Sequence, residues 1–157
     1  ISNQKLLVHG SRVANFVGLL SRGILLPKIV VSEVGYETFP NMETFKLTPH
    51  LGISVRTDFG YLGSGVYFSD NIYASVKYAS ASKNGSRFAL LTLVSLGRSK
   101  ELTKITPNLE RAPEGFDSCV GLAQTSHKSS DFANNEYVVY QASQYKNQYL
   151  VEFKLLN

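Results

Sequence analysis

Short apolar runs and two brief helical patterns share this chain, and their order points to α+β architecture with more strand than helix. Lys5 to Val8 reads as a short strand. Val13, Phe16, Val17 and Leu20 then recur at i, i+3, i+4 and i+7, which predicts a helix with those four side chains on its buried face. Ser11 is the expected cap and Gly23 the natural stop. From Pro27 to Gly60 the pattern is less regular, with strand-like KIVVSEV followed by a polar stretch that holds Pro40 and Pro49. A connection of that length suits a lid or binding loop.

Gly63-Ser64-Gly65 should turn the chain into the strand VYF. Asp70 is then expected to cap a second helix, with Ile72, Val76 and Ala79 on its core side. RFALLTLVSL, residues 87–96, is almost wholly apolar and predicts a central strand. Residues 97–134 read as loop-rich. EYVVYQA and QYLVEFKLL read as two further strands, with a polar turn between them near Lys146-Asn147.

The bulk composition sets limits. With 157 residues, 43% of them hydrophobic and 18% charged, the chain has the length of one domain and can bury a core. A net charge of +4 helps it approach anions, nucleotides included, but the basic residues are scattered and leave no nucleic-acid footprint. Cys119 is the only cysteine, so an internal disulfide is excluded. No activating neighbour is evident beside it, and it reads as a bystander. CxxC and HExxH are absent and the three histidines are far apart, so no metal site is expected. With no apolar run near the length of a membrane span and no signal peptide, an intracellular location, cytoplasmic or nuclear, is the expectation. The chain starts at Ile1 and its sole methionine is Met42, so residues 1–157 are expected to be one domain cut from a longer protein.

Three polar groups stand at the edges of apolar strands: His9 after LLV, Tyr67 inside GVYF, and Glu136 opening EYVVY. Each alone has an ordinary structural reading, as a satisfied histidine, a core tyrosine and a solvated glutamate. Together they gain partners. Ser75 and Tyr78 are three apart and share a helical face, within reach of Tyr67 across a gap. Two tyrosine rings with a hydroxyl between them could sandwich a flat heteroaromatic group. Gly10 lets a ligand approach the backbone closely, offering an N–H and a C=O to a planar carboxamide.

HGSR-x-x-NF-x-GLLSRG, LGSGVYFSD-x-x-x-x-S-x-KY, AP-x-GFDSCVG and NNEYVVY, in this order over residues 7 to 140, resemble the catalytic domain of the poly(ADP-ribose) polymerase family. Details such as PEGFDSCVG and the LGSG turn look closest to its vault-associated branch. The resemblance implies the ADP-ribosyltransferase fold, two packed mixed sheets around an NAD cleft. It implies NAD+ as co-substrate, no metal, and a protein acceptor or the chain itself as the modified partner. No membrane and no direct nucleic-acid contact are expected. The family's His–Tyr–Glu triad carries onto His9, Tyr67 and Glu136. His9 would hold a ribose hydroxyl of NAD+, Gly10 and Ser75 the nicotinamide carboxamide, Tyr67 and Tyr78 the nicotinamide ring, and Ser11 would lie near the adenosine ribose. Glu136 would stabilise the oxocarbenium-like ribose, as carboxylates do in glycoside hydrolysis. By motif position, Asp117, Ser118 and Gly121 are expected in a loop lining the acceptor side.

The resemblance has departures. Leu25 stands where some members place an arginine toward the adenosine side, and the 27–60 segment is longer than the donor loop of many members. The helical autoinhibitory domain of the DNA-damage-dependent members has no counterpart within these residues. Glu136 permits polymer formation without establishing it. Two other function classes stay open: an interaction module that binds NAD or ADP-ribose with little catalysis, and the same fold transferring to nucleic-acid ends or to water. The intact triad argues against the first, and the modest charge does not favour nucleic acid.

Overall fold

The computed structural model describes residues 2–26 and 60–155. The strand-like KIVVSEV and the long segment around it lie outside the described residues. Among the described residues seven strands form two sheets. β1 (Gln4–Gly10), β3 (Arg87–Ser95) and β7 (Tyr145–Phe153) make a three-stranded antiparallel sheet in the order β1-β3-β7. β2 (Val66–Phe68), β6 (Glu136–Val139), β5 (Ser118–Gly121) and β4 (Ser99–Leu102) make a four-stranded mixed sheet in the order β2-β6-β5-β4, with β4 and β5 parallel. Among the described residues two short α-helices, α1 (Phe16–Arg22) and α2 (Ile72–Val76), accompany them. This is the α+β class expected. The almost wholly apolar run at 87–96 is indeed central, because β3 is covered by a strand on each side.

Strand alternation divides the side chains between two cores. Val66 and Phe68 of β2, Val120 of β5, and Tyr137 and Val139 of β6 meet Leu7, Leu90 and Val94 of the other sheet, with Phe16, Ile24 and Leu26. The intervening residues, Tyr67, Cys119 and Val138, point the opposite way and pack with Leu62, Phe132 and Tyr140. The four-stranded sheet is thus apolar on both faces, and the second face carries the residues of interest. Cys119 is a free, buried thiol within that second core.

Several local expectations are corrected. Ser11 does not cap α1: its Oγ accepts from Asn15 Nδ2 at 2.9 Å, and a 3-10 turn, Val13–Asn15, precedes the helix. α1 buries Phe16, with Leu19 packed against the core, while Val17 is 81% and Leu20 56% exposed. Gly23 does end the helix, at φ 79°. α2 is capped by Asn71, whose side chain accepts from the Tyr73 N–H; Asp70 is engaged elsewhere. The region 97–134 contains two strands, β4 and β5, which periodicity conceals because each has only four residues and includes serine. Ser118 is fully buried without penalty, since its Oγ donates to the Leu96 carbonyl at 2.7 Å. Lys146 and Asn147 lie within β7, not in a turn. Asn147 faces Thr92 across the ladder, where the Thr92 hydroxyl donates to its Oδ1 at 3.2 Å, beside a register shift at Leu91/Thr92.

The turn between β6 and β7 is a 3-10 segment, Ala142–Gln144. Gln144 is 1% exposed and uses both ends of its amide. Its Nε2 donates to the carbonyls of Asp117 at 2.8 Å and Ser95 at 3.3 Å, and its Oε1 accepts from the N–H groups of Gln141 at 3.1 Å and Tyr140 at 3.3 Å. One side chain therefore ties the end of β3 to the start of β5 and the exit of β6. Gln144→Leu keeps the volume but strands those backbone groups, and it should lower the unfolding free energy by about 2–4 kcal/mol. Urea denaturation checks this; a loss below about 0.5 kcal/mol, the level of an ordinary surface change, would rule out the amide as a structural tie.

Candidate active site

The two sheets meet where the free edge of β1 runs beside the end of β2. Val8 N–H donates to the Ser69 carbonyl at 2.8 Å and Ser69 N–H to the Val8 carbonyl at 2.9 Å. That bridge sets His9, the next residue of β1, beside the end of β2. His9 Nδ1 lies 2.9 Å from the Tyr67 carbonyl oxygen. A carbonyl can only accept, so Nδ1 carries a proton and donates it to that oxygen. The imidazole also packs on Phe68, with ring centroids 5.7 Å apart.

Tyr67 is held by its own upstream turn. Its hydroxyl accepts from the Leu62 N–H at 2.9 Å and donates to the Gly63 carbonyl at 2.7 Å. Gly60 closes this turn through a bridge with Gly63, and any side chain at Gly60 would overlap the Tyr67 ring and hydroxyl. Burial raises the Tyr67 phenol far above its usual range, and the nearby Glu136 charge adds to the rise. The ring is therefore a fixed, neutral wall.

Glu136 opens β6 and pairs with Gly121 of β5, while Val138 pairs with both Tyr67 and Cys119. Residues two apart on a strand share a face, so Glu136 and Tyr67 are diagonal neighbours on the same side of the sheet. Partial burial raises the Glu136 carboxyl above the ordinary carboxylate range, and the positive charge of Lys77 partly offsets this. Tyr78, just beyond α2, is raised by burial and then by Glu136, yet its side chain is 65% exposed. It contributes an accessible ring near the carboxylate. Ser75, on α2, is buried, and a Cβ at Gly10 would collide with its carbonyl oxygen. The absence of a side chain at Gly10 is thus required first by the seating of α2 on β1.

His9, Gly10, Tyr67, Ser75, Tyr78 and Glu136 are brought to one region by β1, β2, α2 and β6. Ser11 follows directly on β1, its hydroxyl engaged with Asn15. Leu25 lines a separate cleft of about 240 Å³ with Arg22, Gly23, Ile24, Ala142 and Tyr145. The acceptor-side expectation changes: Ser118 and Gly121 are buried in β5, not in a loop, and only Asp117 stays exposed, its Oδ2 accepting from the Arg98 N–H at 2.9 Å. Among the described residues no group of three or more His, Cys, Asp or Glu side chains gathers as metal ligands do.

Two residues within the quoted motifs, Asp70 and Asn135, received no site role from the sequence. Asp70 Oδ2 accepts from Asn135 Nδ2 at 3.0 Å and from the Tyr137 hydroxyl at 2.9 Å. Burial, and then the Asp70 carboxylate, push the Tyr137 phenol up to about 12. Asn135 Oδ1 in turn accepts from the Ala123 N–H at 2.9 Å. The one sequence signal was the placing of an acid just after VYF and of asparagines just before EYVVY.

The chain is similar in sequence to known proteins. The family model for the poly(ADP-ribose) polymerase catalytic domain matches residues 1–126, ending before Glu136. Protein mono-ADP-ribosyltransferase PARP4 of Mus musculus is 40% identical over 154 residues, covering 98% of this chain and 7% of that protein. PARP4 of Homo sapiens is 38% identical over 156 residues, 99% of this chain and 8% of that protein. Poly [ADP-ribose] polymerase 1 of Oryza sativa subsp. japonica is 30% identical over 179 residues, 98% of this chain and 16% of that protein. The chain thus spans a small part of each relative, and the PARP4 likeness agrees with the vault-associated branch that LGSG and PEGFDSCVG resemble. The chain belongs to the poly(ADP-ribose) polymerase catalytic-domain family.

Proposed function

We propose that this chain transfers ADP-ribose from NAD+ to a protein side chain, its own or another protein's, and releases nicotinamide. The observation that carries the reading is the junction of β1, β2 and β6, which gathers His9, Tyr67 and Glu136 in a chain of this family.

The chemistry follows from the residues. His9, fixed through its Nδ1–H to the Tyr67 carbonyl, holds a ribose hydroxyl. The Gly10 backbone and the Ser75 hydroxyl hold the nicotinamide carboxamide, and the rings of Tyr67 and Tyr78 stack on its heterocycle. Ser11 lies toward the adenosine ribose. The bond between ribose C1′ and the nicotinamide nitrogen breaks with its electron pair leaving on nicotinamide, which needs no general acid. Positive charge develops on the ribose. Glu136, ionised and hydrogen-bonded to the 2′-hydroxyl, stabilises that cation in a partly water-excluded site. The acceptor oxygen then bonds to C1′ and gives its proton to Glu136 or to water. Neither a covalent enzyme intermediate nor a metal is required.

Glu136 permits polymer formation, which needs in addition a seat for an existing ADP-ribose; Ser118 and Gly121, buried in β5, do not line one. A purely binding role leaves the placement of Glu136 beside Tyr67 without a use.

Glu136→Gln keeps the shape and removes the charge. It should lower kcat for nicotinamide release roughly 100- to 1000-fold while NAD+ affinity stays within a few-fold. Steady-state kinetics with calorimetric NAD+ binding checks this; wild-type turnover in the variant excludes the role given to Glu136.

The raised carboxyl also predicts a stability effect with a definite sign. Between the unfolded carboxylate range, about 4.3, and the higher folded value, the native state holds the extra proton. Wild-type stability therefore falls as pH rises through that window, and the cost persists above it. Glu136→Gln lacks this cost and should melt above wild type at neutral pH, with the difference vanishing below the ordinary carboxylate range. Melting curves from acid to neutral pH test it; a pH-independent difference contradicts the burial of the charge.

A further inference from the structure

We propose that Asp70 is a positioning residue for Glu136, acting through the two residues that bracket it. The proposal rests on the role given to Glu136 above. One carboxylate oxygen of Asp70 accepts from both Asn135 and Tyr137. Strand alternation puts these two on one face of the chain and Glu136, between them, on the other. Gripping both neighbours fixes the backbone of the intervening residue and the direction of its side chain, which lies on the face shared with Tyr67.

The grip is anchored at each end. Asn135 is held a second time by the Ala123 N–H beyond β5, and Tyr137 is 6% exposed in the inter-sheet core. Asp70 follows Tyr67 by three residues, and Ser69 between them is bonded to Val8, next to His9. A side chain that helix-cap logic would assign to α2 therefore links the His9 and Tyr67 segments to the Glu136 segment. A carboxylate that must meet a ribose hydroxyl in the transition state is sensitive to such support, because small misplacements cost large factors in rate.

Asp70→Ala leaves the Asn135 amide and the Tyr137 hydroxyl without their acceptor. It should lower kcat for nicotinamide release about 10- to 100-fold while the KM for NAD+ stays within about threefold, since the ring and carboxamide contacts lie on β1, β2 and α2. Asp70→Asn keeps an oxygen acceptor at that place and should restore most of the rate. If Asp70→Ala does not fold, Tyr137→Phe, which keeps the ring and removes one arm, carries the test by its kcat at unchanged KM. Unchanged kcat in the folded variants overturns the proposal, as does a parallel loss of kcat and rise of KM that Asp70→Asn fails to relieve. Glu136→Gln run alongside separates the two claims. Wild-type turnover there defeats the role of Glu136 itself, whereas a slow Glu136→Gln beside a fast Asp70→Ala defeats only the positioning role.

Discussion

Two backbone hydrogen bonds between Val8 and Ser69 join strands that belong to different sheets, and the geometry of the site depends on them. Backbone pairing carries little freedom, so His9 is delivered to the Tyr67 carbonyl regardless of side-chain detail. The same pair sets the chain direction after β2, from which Asp70 reaches the segment opening β6. The histidine orientation, the tyrosine wall and the carboxylate are then consequences of register.

The alternation of β2, β5 and β6 supplies the second constraint. One set of side chains closes the core between the sheets, and the other forms a second core around Phe132 and Tyr140. Tyr67 and Glu136 stand on that second face, near enough to packed apolar groups for both to resist ionisation. Lys77 and the exposed Tyr78 ring lie on the open side. A carboxylate half removed from water, with a cation nearby to keep it charged, suits the stabilisation of a developing sugar cation better than a fully solvated one.

The sequence conveyed most where a single chemical property repeats. The apolar run of β3 fixed its central place, and the motifs around His9, Tyr67, Ser75, Tyr78 and Glu136 named residues that the fold gathers. It conveyed least where a distant partner decides. Ser118 reads as loop until the Leu96 carbonyl accepts from it, and Asn147 reads as turn until Thr92 is seen opposite. Asp70 and Asn71 are both good helix caps by type, and the distant partners Asn135 and Tyr137 claim Asp70 for another role. Periodicity put Val13, Phe16, Val17 and Leu20 on the buried face of the first helix. Packing chose Phe16 and Leu19 over Val17 and Leu20. Gly10 was read as a point where a ligand approaches the backbone; the close neighbour it has in the structure is the protein's own Ser75.

Incubating the chain with NAD+ and following nicotinamide release together with the intact mass of the protein tests the central claim most directly. The account predicts saturable release of nicotinamide by a catalytic amount of chain, with mass added in ADP-ribose steps to the chain or to a supplied protein acceptor. NAD+ that raises the melting temperature yet yields no nicotinamide would contradict it, and would leave this junction of strands a binding site alone.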